Sequence, residues 1–157
     1  MEGKALTKQA ILDNIRGVQF HSYKRLGLNV LKGNNEVSLQ VRESRYYPDR
    51  VSKDKVGHGW NDISESDFLR DKDVVDFYVF LTHVPSRNCE ENQFVVVPSG
   101  DLEQLIKCKD TGQNSIYRFY FHFEGDKVFE IRDAVIDYSK YLNNWSLIVH
   151  ALSDKTT

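Results

Sequence analysis

The sequence predicts an α/β fold of the α+β type, in which a central mixed β-sheet is flanked by helices within one domain spanning residues 1–157. Three observations lead there. Residues 74–81 (VVDFYVFL) and 94–97 (FVVV) are dense in β-branched and aromatic side chains, the composition of strands buried on most of their surface. Pro98 ends the second run, Ser99 can cap a helix, and Asp101 and Glu103 place negative charge in its positive first turn. The turn signals GNN at 33–35 and EGD at 124–126 each join two strand-like segments.

Taken in order, residues 6–17 (LTKQAILDNIRG) place Leu6, Ala10, Ile11 and Ile15 at helical spacing, with Gly17 as a stop. Residues 18–23 and 26–31 read as short strands. The GNN turn then leads into a strand at 36–44, making 28–31 and 37–42 antiparallel partners. Residues 45–67 contain a proline, two glycines and many polar side chains, so they read as a long loop with at most a short helix near 64–69. Trp60 in that loop is expected to anchor it onto the core. Residues 115–123 and 127–132 form a second hairpin closing the sheet. In the tail, Tyr138, Tyr141, Leu142, Trp145, Ile148 and Val149 recur at helix-like spacing, which predicts one or two helices packed on it.

At 157 residues, 40% hydrophobic and 28% charged, the chain can bury one sizeable core. It has no apolar run of the ~20 residues needed to span a bilayer, and its N-terminus lacks a signal-peptide segment, so an intracellular, cytoplasmic protein without membrane contact is expected. Cys89 and Cys108 form no CxxC, and both are expected as reduced thiols. Net charge is −2, yet the segment 24–55 carries eight cations against four carboxylates. Such a segment can present an electropositive surface to phosphate, although solvated lysines and arginines on polar strands explain the bias more simply.

Catalytic groupings are mostly missing: there is no phosphate-binding glycine loop, HExxH or GxSxG, and the five histidines are scattered. His83 and His122 lie in predicted strands, where hydrogen-bonded structural roles are expected. The acidic run Asp62, Glu65, Asp67, Asp71 and Asp73 lacks EF-hand spacing and reads as a solvated loop.

The order helix, hairpin, long loop, VDFYVF, QFVVVPS, helix and late NNWSLI resembles small members of the restriction-endonuclease-like, PD-(D/E)xK nuclease superfamily. The resemblance rests on LQVRES at 39–44, Gly59-Trp60, VDFYVF at 75–80, FVVVPS at 94–99 and Asn144-Trp145, and covers most of the chain from Leu28 onward. It implies that an aspartate on the first hairpin strand and a glutamate or glutamine on the next hold Mg²⁺, while a lysine two residues further on positions or activates water. The matching positions here are Asn29, Gln40 and Arg42. Two neutral amides leave no carboxylate for a hard dication, and an arginine with a pKa above 12 is no base.

The favoured expectation is therefore a nuclease-fold protein with impaired catalysis and no cofactor, holding DNA, RNA or a partner protein through Lys24, Arg25, Arg42 and Arg45. One alternative is an active Mg²⁺-dependent nuclease with carboxylates supplied by Asp49, Glu36 or the acidic loop. Another is a structural or protein-interaction domain without nucleic-acid binding. Strand alternation places Gln40, Arg42 and Ser44 on one face and Leu39, Val41 and Glu43 on the other.

Overall fold

A computed structural model describes residues 8–9, 11–23, 28–44, 59–85 and 90–153. The elements are α1 (described at 8–9 and 11–14), β1 (Gln19–Tyr23), β2 (Leu28–Lys32), β3 (Glu36–Ser44), β4 (Gly59–Ser64), α2 (Glu65–Asp71), β5 (Phe77–Pro85), β6 (Glu90–Pro98), α3 (Ser99–Leu105), β7 (Ile116–Glu124), β8 (Lys127–Glu130), β9 (Ile136–Asp137) and α4 (Ser146–Ser153). Short 3₁₀ turns lie at Ile106–Cys108 and Ser139–Tyr141.

The fold is α+β. Among the described residues, a five-strand mixed sheet runs β1-β2-β3-β5-β6, and a four-strand antiparallel sheet runs β4-β7-β8-β9. In the first, β1, β2 and β3 form an antiparallel meander, β5 lies parallel to β3, and β6 returns antiparallel to β5. A parallel neighbour needs a long crossover, and the stretch containing β4 and α2 supplies it. No described helix is long and apolar enough to cross a membrane.

Period-two alternation explains why VDFYVF and FVVV contain so few polar residues: both faces of β5 and β6 are covered. Phe77, Val79, Leu81, Phe94 and Val96 pack with Ile11, Ile15, Leu31, Leu39 and Ile148 on one face. On the other face Tyr78, Phe80, Val95 and Val97 meet Phe119 and Phe121 of the second sheet, with the Phe80 and Phe119 rings 4.9 Å apart. Each such side chain contributes about 1.5–3 kcal/mol by leaving water.

The predicted hairpins are present, but several expectations need correction. The hairpin 115–132 closes a separate sheet instead of extending the central one. Part of the expected long loop is β4, whose Gly59, Asn61 and Ile63 are buried while Trp60 and Asp62 are exposed; pairing with β7 overrides the poor strand propensity of GWND. Val74, 54% exposed, lies in the turn before β5 instead of in the strand. Ser99 does not cap α3, because its hydroxyl donates to the Lys72 carbonyl at 3.0 Å and Pro98 occupies the cap position. In the tail, Tyr138 precedes and Tyr141 ends a 3₁₀ turn, both buried, whereas Val149 on α4 is 44% exposed.

Under the second sheet lies a complete charged cluster. The fully buried Lys109 donates to Glu130, to Asp133 Oδ2 at 3.1 Å and to the Arg118 carbonyl at 2.7 Å. Glu130 also accepts from the Tyr120 and Arg132 amides at 3.1 and 2.8 Å. Removing one member of such a set strands the others. Lys109→Met is expected to lower unfolding free energy by about 3–5 kcal/mol in urea denaturation; a loss below about 1 kcal/mol would show that water replaces the ammonium.

Three buried tyrosines predict alkaline behaviour. Burial, the largest cause in each case, pushes Tyr78 up to about 12 and raises Tyr138 and Tyr141, the last also donating to Asp101 at 2.8 Å. Because the folded-state values lie above the ordinary 10.0, the fold favours the neutral phenol. Stability from these groups is full below pH 10 and falls as pH rises toward 12. Tyrosinate absorbance followed with circular dichroism should show these phenols ionising only as the fold is lost; their ionisation in an intact fold would contradict the packing.

Candidate functional site

Lys24, Arg25 and Arg45, expected to hold nucleic acid, lie outside the described residues, as does Asp49. The other expected positions sit on β2 and β3, and the hairpin register sorts them. The loop Gly33–Asn35 pairs Lys32 with Glu36, and the ladder continues to Asn29 opposite Leu39. Directly opposed antiparallel residues share a face. Asn29 thus projects to the Leu31 and Leu39 side, away from Gln40 and Arg42, and counting one residue back puts Leu28 across from Gln40. The expected trio is not brought together. Alternation within one strand leaves this open; loop length decides it.

Gln40 and Arg42 do share a face, with Ser44, as expected. In the parallel ladder Gln40 lies beside Tyr78, Arg42 beside Phe80 and Ser44 beside Thr82. Crossing this face is β4, held by two contacts. The Trp60 amide donates to Ser44 Oγ at 2.8 Å. Gly59 sits so close to Thr82 that a Cβ there would be 2.2 Å from Thr82 Oγ1. Asn61, next inward on β4, is 3% exposed, and Gln40 is 5% exposed.

The result is a polar seam between two apolar sheets. Gln40 Oε1, Arg42 Nε, both amide atoms of Asn61, Tyr78 OH and Thr82 Oγ1 are buried without a hydrogen-bond partner. Arg42 is half-buried, and no ion pair involves it among the described residues. Tyr78 is close enough to feel both Asp71, which adds to its raised pKa, and Arg42, which opposes it. Asn61, Tyr78 and Thr82 were not singled out as site residues by sequence. The alternation in GWNDIS is the signal that could have found Asn61.

Carboxylates near this face are engaged elsewhere. The side chain of Glu43 is on the opposite face, 2.6 Å from His83 Nε2, while His83 Nδ1 lies 2.7 Å from Asn92 Oδ1. This gives His83 the expected hydrogen-bonded position. Glu36 pairs with Lys32 at 3.4 Å. Asp62 accepts from the Trp60 indole at 2.8 Å, Asp76 accepts from the Ser38 amide at 2.8 Å, and buried Asp71 receives both the ε and one η nitrogen of Arg70. Trp60, 40% exposed, packs edge-on against Tyr120 at 4.8 Å; it lies on the outer face of the second sheet and does not anchor a loop into the core.

A Mg²⁺ ion does not fit this donor set. Gln40 offers one neutral oxygen, Leu28 none, and Arg42 adds a positive charge, whereas Mg²⁺ binds through carboxylates and water. Among the described residues no group of three His, Cys, Asp or Glu side chains could hold a metal ion. Comparison with family models, curated proteins and solved structures finds no match.

The close approach of Gly59 gives a direct test of the seam's geometry. Gly59→Ala should lower the melting temperature markedly, since its Cβ meets Thr82 well inside contact distance. Adding Thr82→Ala removes the hydroxyl and methyl and should recover part of the loss. Purely additive effects in the double variant would show that the two residues do not touch.

Proposed function

We propose that the five-strand sheet is a restriction-endonuclease-like core whose metal-dependent chemistry has lapsed, and that it holds nucleic-acid phosphate without a metal. Arg42 is the contact residue; Lys24, Arg25 and Arg45, which lie outside the described residues, are the further cations proposed to contribute. The observation that carries this reading is the unpaired state of Arg42: a half-buried guanidinium with no anionic partner among the described residues, beside neutral Gln40 and Asn61. A cation withdrawn from water is costly unless an anion completes it. Phosphate suits the planar fork, which makes paired, charge-assisted hydrogen bonds and needs no metal as intermediary. The lapse of catalysis follows from the same residues, since Arg42 cannot act as a base and Leu28 stands where a second metal ligand would have to face Gln40.

Binding should be measured by anisotropy with single- and double-stranded DNA and RNA in the presence of a chelator. Affinity is expected to fall steeply with salt, and Arg42→Ala should weaken binding across sequences while reducing the logarithmic salt slope by about 1. Added Mg²⁺ or Mn²⁺ should produce no cleavage. Affinity indifferent to Arg42→Ala would remove this role. Cleavage abolished by Gln40→Ala would restore the enzymatic alternative, and failure to bind any nucleic acid would leave a partner protein's carboxylates as the anion for Arg42.

A further inference from the structure

Six buried polar atoms in the seam between the sheets have no protein partner: Gln40 Oε1, Arg42 Nε, Asn61 Oδ1, Asn61 Nδ2, Tyr78 OH and Thr82 Oγ1. They are not scattered. Gln40 and Tyr78 are ladder neighbours, Arg42 lies between Gln40 and Ser44 on the same face, Thr82 flanks Ser44, and β4 lays Asn61 across them from its anchors on Ser44 and Thr82. Leaving that many donors and acceptors dry would cost about 1–3 kcal/mol each, a sum comparable with the whole stability of a domain.

The set contains both donors and acceptors and no carboxylate. Asn61 Nδ2 and Arg42 Nε donate, Gln40 Oε1 and Asn61 Oδ1 accept, and the two hydroxyls do either. A metal ion would leave the donors unmet; a bare anion would leave the amide oxygens unmet. Water serves both.

We propose that the seam is an internal hydration site, holding about two ordered waters at roughly three hydrogen bonds each. These waters, in place of a carboxylate, fix the inner edge of Arg42 through Nε and leave its terminal nitrogens directed to the mouth of the seam. Asn61 and Thr82 are then positioning residues for Arg42. The hydration itself does not depend on nucleic-acid binding, although this role for Arg42 rests on the proposed function.

Two shape-conserving substitutions test the proposal in the full chain without ligand. Tyr78→Phe and Thr82→Val each delete one hydroxyl. In a hydrated seam each leaves a water short of a partner and should lower the melting temperature by about 2–4 °C, the two effects being non-additive because they share the cluster. In a dry seam each removes an unmet polar atom, and both should raise it. A crystal structure of the full chain supplies a second readout: solvent peaks within hydrogen-bonding distance of Asn61 and Gln40 support the proposal. Raised melting temperatures, or an ordered seam without solvent density, would overturn it even if Arg42 proves to bind nucleic acid.

Discussion

The two sheets depend on one close approach. Gly59 has no side chain, so the backbone of β4 can lie against Thr82, and its neighbour Trp60 donates an amide to Ser44. These contacts pin the start of β4 across the ends of β3 and β5. From there Ile63 reaches the apolar cluster shared with Phe80, Phe119 and Phe121, and α2 carries the chain back to the start of β5. The parallel pairing of β3 with β5, and the enclosed face bearing Gln40 and Arg42, follow from that path.

Two polar regions inside the same fold show opposite solutions to burial. Around Lys109 the lysine, Glu130, Asp133 and several backbone groups complete one another, so the cluster has no remaining capacity for a ligand and serves as a clamp between the 109 region and β8. In the seam Gln40, Asn61, Tyr78 and Thr82 are buried too, and with half-buried Arg42 they leave hydrogen-bonding capacity open. A protein tolerates that arrangement when water, a ligand or both complete it. This difference, more than overall charge, singles out the Arg42 face as the place to look for binding.

How much of this was readable before folding depends on whether a feature is local. Residues 77–81 and 94–97 announce themselves because both faces of their strands are apolar, and Gly125, with φ of 59°, sits in the turn that its sequence marks. The strand β4 is hidden because Gly59, Asn61 and Asp62 have weak strand preference and acquire their geometry from β7, more than fifty residues away. For the same reason the division into two sheets was not legible, since hairpins declare their own pairing but not which sheet they join. Gln40 and Arg42 were placed correctly on one face by simple alternation. Tyr78 and Thr82 join the site through the parallel pairing of β5 with β3, and Asn61 only through the packing of the second sheet on the first.

Asn29 shows what decides the chemistry of this face. The turn between β2 and β3 is held from outside: the Asn35 amide donates to the Leu152 carbonyl at 3.0 Å, and its side chain donates to the Ala151 carbonyl at 3.0 Å, at the end of α4. By fixing the Gly33–Asn35 loop at three residues, α4 fixes the parity of the whole ladder. A one-residue change in that loop would exchange Asn29 and Leu28 across the sheet, moving an amide toward Gln40 and a leucine into the opposite core. An acidic side chain at 29 would therefore not rebuild a metal site in this register. On the proposed reading, loss of metal chemistry is written into the pairing of the strands as well as into the residues they carry.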